Sequence, residues 1–333
     1  MKKKSFICFL SIFLLSFLSV ISNGCATKAA SAQEYYSLGM AYYDLGKFDE
    51  AEKWLNRARK ADRTMTASTY NLGRIAYEMK RYDDAAKHFE AVLKKDKDNV
   101  PALKAAAYSR IKTGDIAIAE KHYERLLSLV PESADDGYNH ALVLFALERY
   151  DKAEKVLENY PSSLLENKDT MLLYARCQAK LNKVEAIDSF ANYFSVNSSD
   201  ARARYEYAQV LINNDFLVRA IEEYRKALTE ISATAVNPKK CDIRFALAKV
   251  LLTADGDNTD GITELQNAVG EGFTDITAVE KILTLKISAA NKTSVQTVIN
   301  NMKKTEQEKQ NEAASGDSSK TDPQSGSQND VKN

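Results

Sequence analysis

Apolar side chains recur along most of this chain at the spacing of one helix face. Ala51, Leu55 and Ala58 stand at i, i+4 and i+7, and the same step is taken by Ala85, Phe89 and Val92, by Ala119, Tyr123 and Leu126, and by Ala153, Leu157 and Tyr160. Each set lies 34 residues after the one before it. A second column of small residues, Gly39, Gly73, Ala107 and Ala141, keeps that interval upstream. The register slips by one to Ala175, Ala186, Phe190 and Tyr193, then resumes at Ala208, Ala220, Tyr224 and Ala227. A looser copy follows at Ala248, Gly261, Leu265 and Ala268, after an insertion around Ser232–Lys239. Turn residues separate the apolar blocks at Gly46-Lys47, Lys80-Arg81 and Thr113-Gly114-Asp115. The pattern predicts paired helices repeated along the chain. Each pair brings a small residue against its partner helix, and each buries its apolar face only against its neighbours.

Several columns sharing one period are the mark of a repeat architecture. Tyr35–Lys60 (YYSLGMAYYDLGKFDEAEKWLNRARK) and Tyr70–Leu93 (YNLGRIAYEMKRYDDAAKHFEAVL) resemble the tetratricopeptide repeat, whose unit is two antiparallel helices, and Pro131 stands at that family's terminal proline. The third and fourth copies have Ala106-Ala107 and His140-Ala141 in place of the family's Leu-Gly. The resemblance covers residues 32–269 and implies an all-α fold, a right-handed α-solenoid of six to seven helix pairs. Residues 270–302, with helical spacing in Thr277–Ala290 and again in Val295–Met302, are the expected C-terminal cap. Residues 303–333 are polar, with one Val as the only large aliphatic side chain, and are expected to be disordered because they cannot offset their ordering entropy.

The chain begins differently. Lys2, Lys3 and Lys4 precede an apolar stretch from Phe6 to Ile21, and Ser22-Asn23-Gly24-Cys25 follows at once, which reads as a secretory leader. Gly24-Cys25 resembles the lipobox of bacterial lipoproteins. That resemblance implies a signal peptide over 1–24, a lipidated Cys25 and a tether over 25–31, although Ser22 stands where the family usually has Leu. Two other readings stay open: cleavage after Ala30-Ser31-Ala32, or an uncleaved anchor. All three place the body outside the cytoplasm, and the lipidated reading holds it to a membrane of a bacterial cell envelope.

Charge narrows the partners. There are 46 Lys+Arg and 46 Asp+Glu, and without residues 1–24 the basic count falls to 43, a net charge of −3. A protein that displaces counterions from nucleic acid needs a basic excess, so no nucleic-acid partner is expected. Beyond Cys8 and Cys25 only Cys177 and Cys241 remain in the body, too far apart in sequence for a metal-ligand pair. His88 and His122 share one repeat position, but Trp54 and Val156 occupy it in the flanking copies, so no metal is expected; His140 falls on the Leu column and reads as a core residue. No phosphate-cradling glycine loop or nucleophile elbow appears. No catalytic residue and no cofactor is assigned.

What remains is the surface of the first helices. The resemblance implies that the fifth and twelfth positions of each first helix point into a concave groove. Here these include Tyr36, Tyr70, Lys104, Tyr138 and Tyr205, then Tyr43, Tyr77 and Phe145, with Arg74 beside them. Aromatic and Arg side chains carry much of the binding energy at interfaces. The expected function is therefore a membrane-tethered scaffold that holds a protein or peptide partner in that groove, an accessory factor of envelope or secretion-complex assembly. The alternative is a small-ligand-binding accessory of a periplasmic transport system.

Overall fold

The structure, a computed structural model, describes residues 31–253 and 259–317, and all its regular elements among them are helices. The leader, its cleavage and the Cys25 anchor lie outside the described residues. Two compact units divide the chain at Leu181 and Asn182.

In the first unit the helices pair in sequence order: 31–44 (α1) with Phe48–Ala61 (α2), Thr66–Glu78 (α3) with Tyr82–Leu93 (α4), Val100–Thr113 (α5) with Ile116–Leu129 (α6), and Ala134–Ala146 (α7) with Tyr150–Glu158 (α8). A short helix, Pro161–Glu166 (α9), then leads into Lys168–Lys180 (α10). Pro161 starts α9 at the position where a missing N–H costs nothing. This extra element sits just before the point where the sequence register slips.

The repeat columns form the core. Ala51, Ala85, Ala119 and Ala153 are fully buried, as are Leu55, Tyr123 and Leu157, with Phe89 nearly so. The small residues of the first helices explain why. A Cβ on Gly73 would stand 2.8 Å from the Phe89 ring, and one on Gly39 would stand 2.7 Å from Leu55, so only a bare backbone lets the second helix approach.

The turn inside each pair recurs too. Gly46, Lys80, Gly114 and Glu148 all have positive φ, between 58° and 84°. The residue after each returns its N–H across the end of the first helix, as Arg81 does to the Ala76 carbonyl (2.8 Å) and Arg149 to that of Leu144 (2.9 Å). These are left-handed helix stops, and only two of the four use glycine.

The second unit contains Ala186–Val196 (α11), Ala201–Asn213 (α12), Leu217–Glu230 (α13), Lys240–Thr253 (α14), Thr259–Gly270 (α15), Ile276–Ile282 (α16) and Ala289–Asp317 (α17). Its columns are buried likewise: Ala186 and Phe190, Ala220 and Tyr224, then Gly261 and Leu265. The last helices cover one end of the stack. Val279, Ile282, Val295, Val298, Ile299 and Met302 join Ala248, Leu252 and Leu265 in one cluster.

Two expectations for this end need correction. The helix expected over Thr277–Ala290 stops at Ile282, and beyond it Leu283, Leu285 and Ile287 pack on the cluster. The N–H groups of Leu283, Thr284 and Leu285 reach back to the carbonyls of Glu280, Lys281 and Ile282, so the chain leaves the helix through a tight turn. The segment expected to be disordered from 303 is helical as far as Asp317. Its Glu, Gln, Lys and Ala residues are good helix formers. They extend a helix already nucleated by the buried Val295–Met302 turns, which costs far less than starting one.

Candidate functional site

The site is built on α3. Tyr70, Arg74 and Tyr77 stand at i, i+4 and i+7 and share one stripe, while Leu72, Ile75 and Ala76 are buried. Behind the stripe, Gly73 admits the Phe89 ring, and Phe89 meets Tyr70 edge-on with centroids 5.3 Å apart. The core thus sets the position of an accessible ring.

Asn71 ties this stripe to α1. Its amide nitrogen donates to the Tyr36 hydroxyl and to the Ala67 carbonyl, both at 3.0 Å. Its oxygen accepts from Arg74 Nη1 at 3.0 Å. Arg74 Nη2 in turn donates to the Tyr43 hydroxyl at 3.0 Å, with the guanidinium 4.5 Å from the centre of the Tyr43 ring. The chain Tyr36–Asn71–Arg74–Tyr43 therefore holds a guanidinium in a fixed position using neutral partners alone. Among the described residues Arg74 forms no ion pair, so its charge and its remaining N–H donors are uncommitted.

Two open cavities meet at Arg74. One of about 440 Å³ is bounded by Tyr36, Met40, Tyr70, Asn71 and Arg74, with Asn99 and Pro101 from the start of α5. The other, of about 290 Å³, is bounded by Tyr43, Arg74, Tyr77, Glu78, Phe89 and Tyr108. Partial burial raises the Tyr77 phenol above its ordinary pKa, so it stays a neutral donor at physiological pH.

The structure thus gathers Tyr36, Tyr43, Tyr70, Arg74 and Tyr77 on one face of α1 and α3. The remaining expected residues have other surroundings. Lys104 pairs with buried Asp136 at 2.7 Å, and the hydrogen bond to that carboxylate raises its pKa. Tyr138 and Phe145 pack beside the cluster of Ala141, Leu144, Leu157 and Leu173, and Phe145 also meets Tyr150 at 5.0 Å. Tyr205 belongs to the second unit. Its ring lies 5.7 Å from that of Tyr224, beside a separate cavity of about 360 Å³ with Gln209, Ile212, Phe245 and Lys249.

Two residues of this face were not in the sequence-derived set. Asn71 is the pivot of the network, and Tyr108 closes the second cavity while accepting a hydrogen bond from Asn139 at 2.9 Å. The sequence carries a signal for them. Asn71 and Asn139 are two repeat periods apart, and each donates to a tyrosine of the preceding first helix.

Other chemistry is sparse. Among the described residues no group of three or more His, Cys, Asp or Glu side chains is placed to hold a metal ion, and no helix is long and apolar enough to cross a membrane. Cys177 and Cys241 are buried and free. His140 is buried, stacks on Tyr123 at 6.1 Å, and has no hydrogen-bond partner at either ring nitrogen.

Comparison with known proteins agrees with this architecture. Tetratricopeptide-repeat family models match residues 27–66, 36–101 and 76–135, and the model of anaphase-promoting complex, cyclosome, subunit 3 matches residues 112–193. No curated protein matches the chain in sequence. Among solved structures, a tetratricopeptide repeat protein from Parabacteroides merdae is similar at 19% identity and a TM-score of 0.50, covering 77% of this chain and 98% of that one. The C-terminal part of a repeat-containing protein from Cytophaga hutchinsonii is similar at 13% identity and a TM-score of 0.58, covering 74% and 98%. With its all-helical pairs and its buried columns, the chain folds as an α-solenoid of tetratricopeptide-type helix pairs, a fold suited to protein–protein interaction, and its residues 27–135 match tetratricopeptide-repeat models.

Proposed function

We propose that this protein is a non-catalytic scaffold of the bacterial cell envelope that holds an extended segment of a partner protein along the face of α1, α3 and α5. One observation carries the reading: Arg74 is fixed by Asn71 and Tyr43 between two open, tyrosine-lined cavities, with its charge unmatched. A preorganised donor set beside accessible aromatic rings loses little conformational freedom when a peptide lies across it. Tethering is the second part of the proposal. Gly24-Cys25 after an apolar leader supports a lipid on Cys25, with 26–30 as the link to α1.

The test is crosslinking and affinity capture in native membranes, comparing wild type with a Tyr36→Ala, Tyr43→Ala, Tyr77→Ala variant. A partner recovered with wild type and lost with the variant is the expected result. An identical partner set from both would move binding away from this face. Cys25→Ala is expected to release the protein from the membrane fraction; retention there would remove the lipid anchor from the proposal.

A further inference from the structure

Next to the tyrosine-lined cavity, where α2 ends and α3 begins, lies a cavity of different character. It measures about 400 Å³, and Arg59, Lys60, Arg63 and Lys95 line it together with Thr66 and Thr69. No acidic side chain contributes to its wall. Thr66 and Val92 also line the neighbouring 440 Å³ cavity, so the two are contiguous across the start of α3.

The cations here have no carboxylate at ion-pair distance among the described residues, although Asp62 lies within electrostatic reach of Lys95. Arg59 donates to the Asn56 side chain at 3.0 Å, Lys95 donates to the carbonyl of Arg63, and none of the four forms an ion pair among the described residues. Most guanidiniums that bridge successive helices in this chain are treated otherwise. Arg81 pairs with Glu52 at 2.7 Å, Arg110 with Glu90 at 2.7 Å, Arg125 with Asp98, Arg149 with Glu120, and Arg244 with Glu264 at 2.6 Å. At this one rim, four cations converge on a space that a single small ion would not fill, since one water occupies about 30 Å³. Arg74, in the adjoining cavity, adds a fifth cation that also lacks a carboxylate.

We infer that the Arg59–Lys60–Arg63–Lys95 cavity receives the carboxylates of an acidic stretch in the partner segment. This inference rests on the peptide-binding reading above and gives it a direction. Apolar or aromatic residues of the segment lie against Tyr36 and Tyr70, and its Asp or Glu residues follow over Thr66 into the basic cavity. Opposite charge at this rim removes the mutual repulsion of the four cations and steers the encounter. The mildly acidic mature chain makes the local excess of positive charge a property of this rim rather than of the whole surface.

The experiment uses the purified full chain and fluorescent, end-capped peptides. They share a Leu-Ala-Phe anchor and differ only in an adjoining block of four glutamates, four glutamines or four lysines. At low salt the glutamate peptide is expected to bind about tenfold or more tightly than the glutamine peptide, and the gap should shrink at high salt. Charge reversal by Arg63→Glu with Lys95→Glu changes two exposed side chains and should leave the helical melt unchanged. It should bring the glutamate peptide down to the level of the glutamine peptide without altering the latter.

Equal binding of the two peptides, no binding of the glutamate peptide, or a glutamate preference that survives the double reversal would each overturn the assignment. Preferential capture of anionic phosphatidylglycerol vesicles over the glutamate peptide would also overturn it and make the rim a membrane contact. The two readings fail separately. If Tyr36→Ala with Tyr43→Ala changes no peptide affinity while the double reversal abolishes the glutamate preference, the tyrosine face falls and the basic cavity stands. If the tyrosine variant weakens the glutamine peptide but the glutamate block adds nothing, the reverse holds.

Discussion

Arg74 in the first unit and Arg204 in the second make an instructive pair. Both lie on the first helix of a pair, and both stack on an aromatic ring, Arg74 on Tyr43 at 4.5 Å and Arg204 on Phe194 at 4.3 Å. There the likeness ends. Arg204 is buried and gives its donors to Glu223 at 2.6 Å, Glu230 at 2.7 Å and the Ser198 carbonyl at 2.7 Å. Arg74 meets only an amide oxygen and a phenol. The ring contact is therefore a way of positioning a guanidinium, and the company it keeps decides its use. Arg204 is consumed in joining α12 to α13, whereas Arg74 is held in place with charge to spare.

Removing the two arginines should separate these uses. Arg204→Ala leaves Glu223 and Glu230 without their shared cation in a poorly hydrated place, and a loss of about 3–5 kcal/mol is expected in urea unfolding of the second-unit transition. Arg74→Ala deletes two bonds to neutral partners at a partly exposed site, and about 1 kcal/mol is expected. A larger loss for Arg74→Ala than for Arg204→Ala would erase the distinction. With the partner captured in the crosslinking experiment, the ranking should invert, since Arg74→Ala removes a contact that Arg204→Ala does not touch.

His140 supplies an intermediate case, a buried polar group with no hydrogen-bond partner among the described residues. Burial holds its imidazole below the ordinary pKa, as it does for His88 and His122. The unfolded chain therefore takes up protons first, and this contribution to stability is complete above an unfolded pKa of about 6.5 and is lost as pH falls through that value. His140→Leu places the column's usual residue there. The melting temperature is expected to rise, and to rise more at acid pH than at neutral pH, with part of the pH dependence left to the other two histidines. An equal shift at both values would show that His140 does not titrate between the folded and unfolded states.

The smallest effect is expected at the C-terminus. Among the described side chains the last buried one of α17 is Met302, and Lys303 reaches Glu280 at 2.7 Å. Deleting residues 304–333 should change stability by less than about 0.5 kcal/mol. A drop of several degrees in melting temperature would mean that the distal half of α17 is docked.

These particulars mark what could be read in advance. Burial repeats with the period of the helix pairs, so the columns from Ala51 to Ala268 announced both the fold and its core. The break of α16 was not legible, because no glycine or proline marks the turn over Leu283–Leu285. In the site, a ring's place on its own helix follows from spacing, so Tyr36, Tyr70 and Tyr77 were found. Whether that ring stays accessible depends on what the neighbouring helix offers. Tyr36 and Tyr138 are both half-buried against a core cluster, but only Tyr36 accepts a hydrogen bond from Asn71 at a cavity edge. That information belongs to pairs of residues in different repeats, and a single column does not contain it.

The turns carry a last consequence. Lys80 and Glu148 occupy left-handed positions that Gly46 and Gly114 fill elsewhere, and a side chain with a Cβ pays roughly 1 kcal/mol or more for that conformation. The chain thus runs below the stability its own pattern permits, at turns outside the Tyr36–Asn71–Arg74–Tyr43 network, although the Lys80 N–H meets the Tyr77 carbonyl. Such slack gives evolution, or an engineer, a place to compensate for costly substitutions on the proposed binding face. New partner specificities can then be explored there without unravelling the stack.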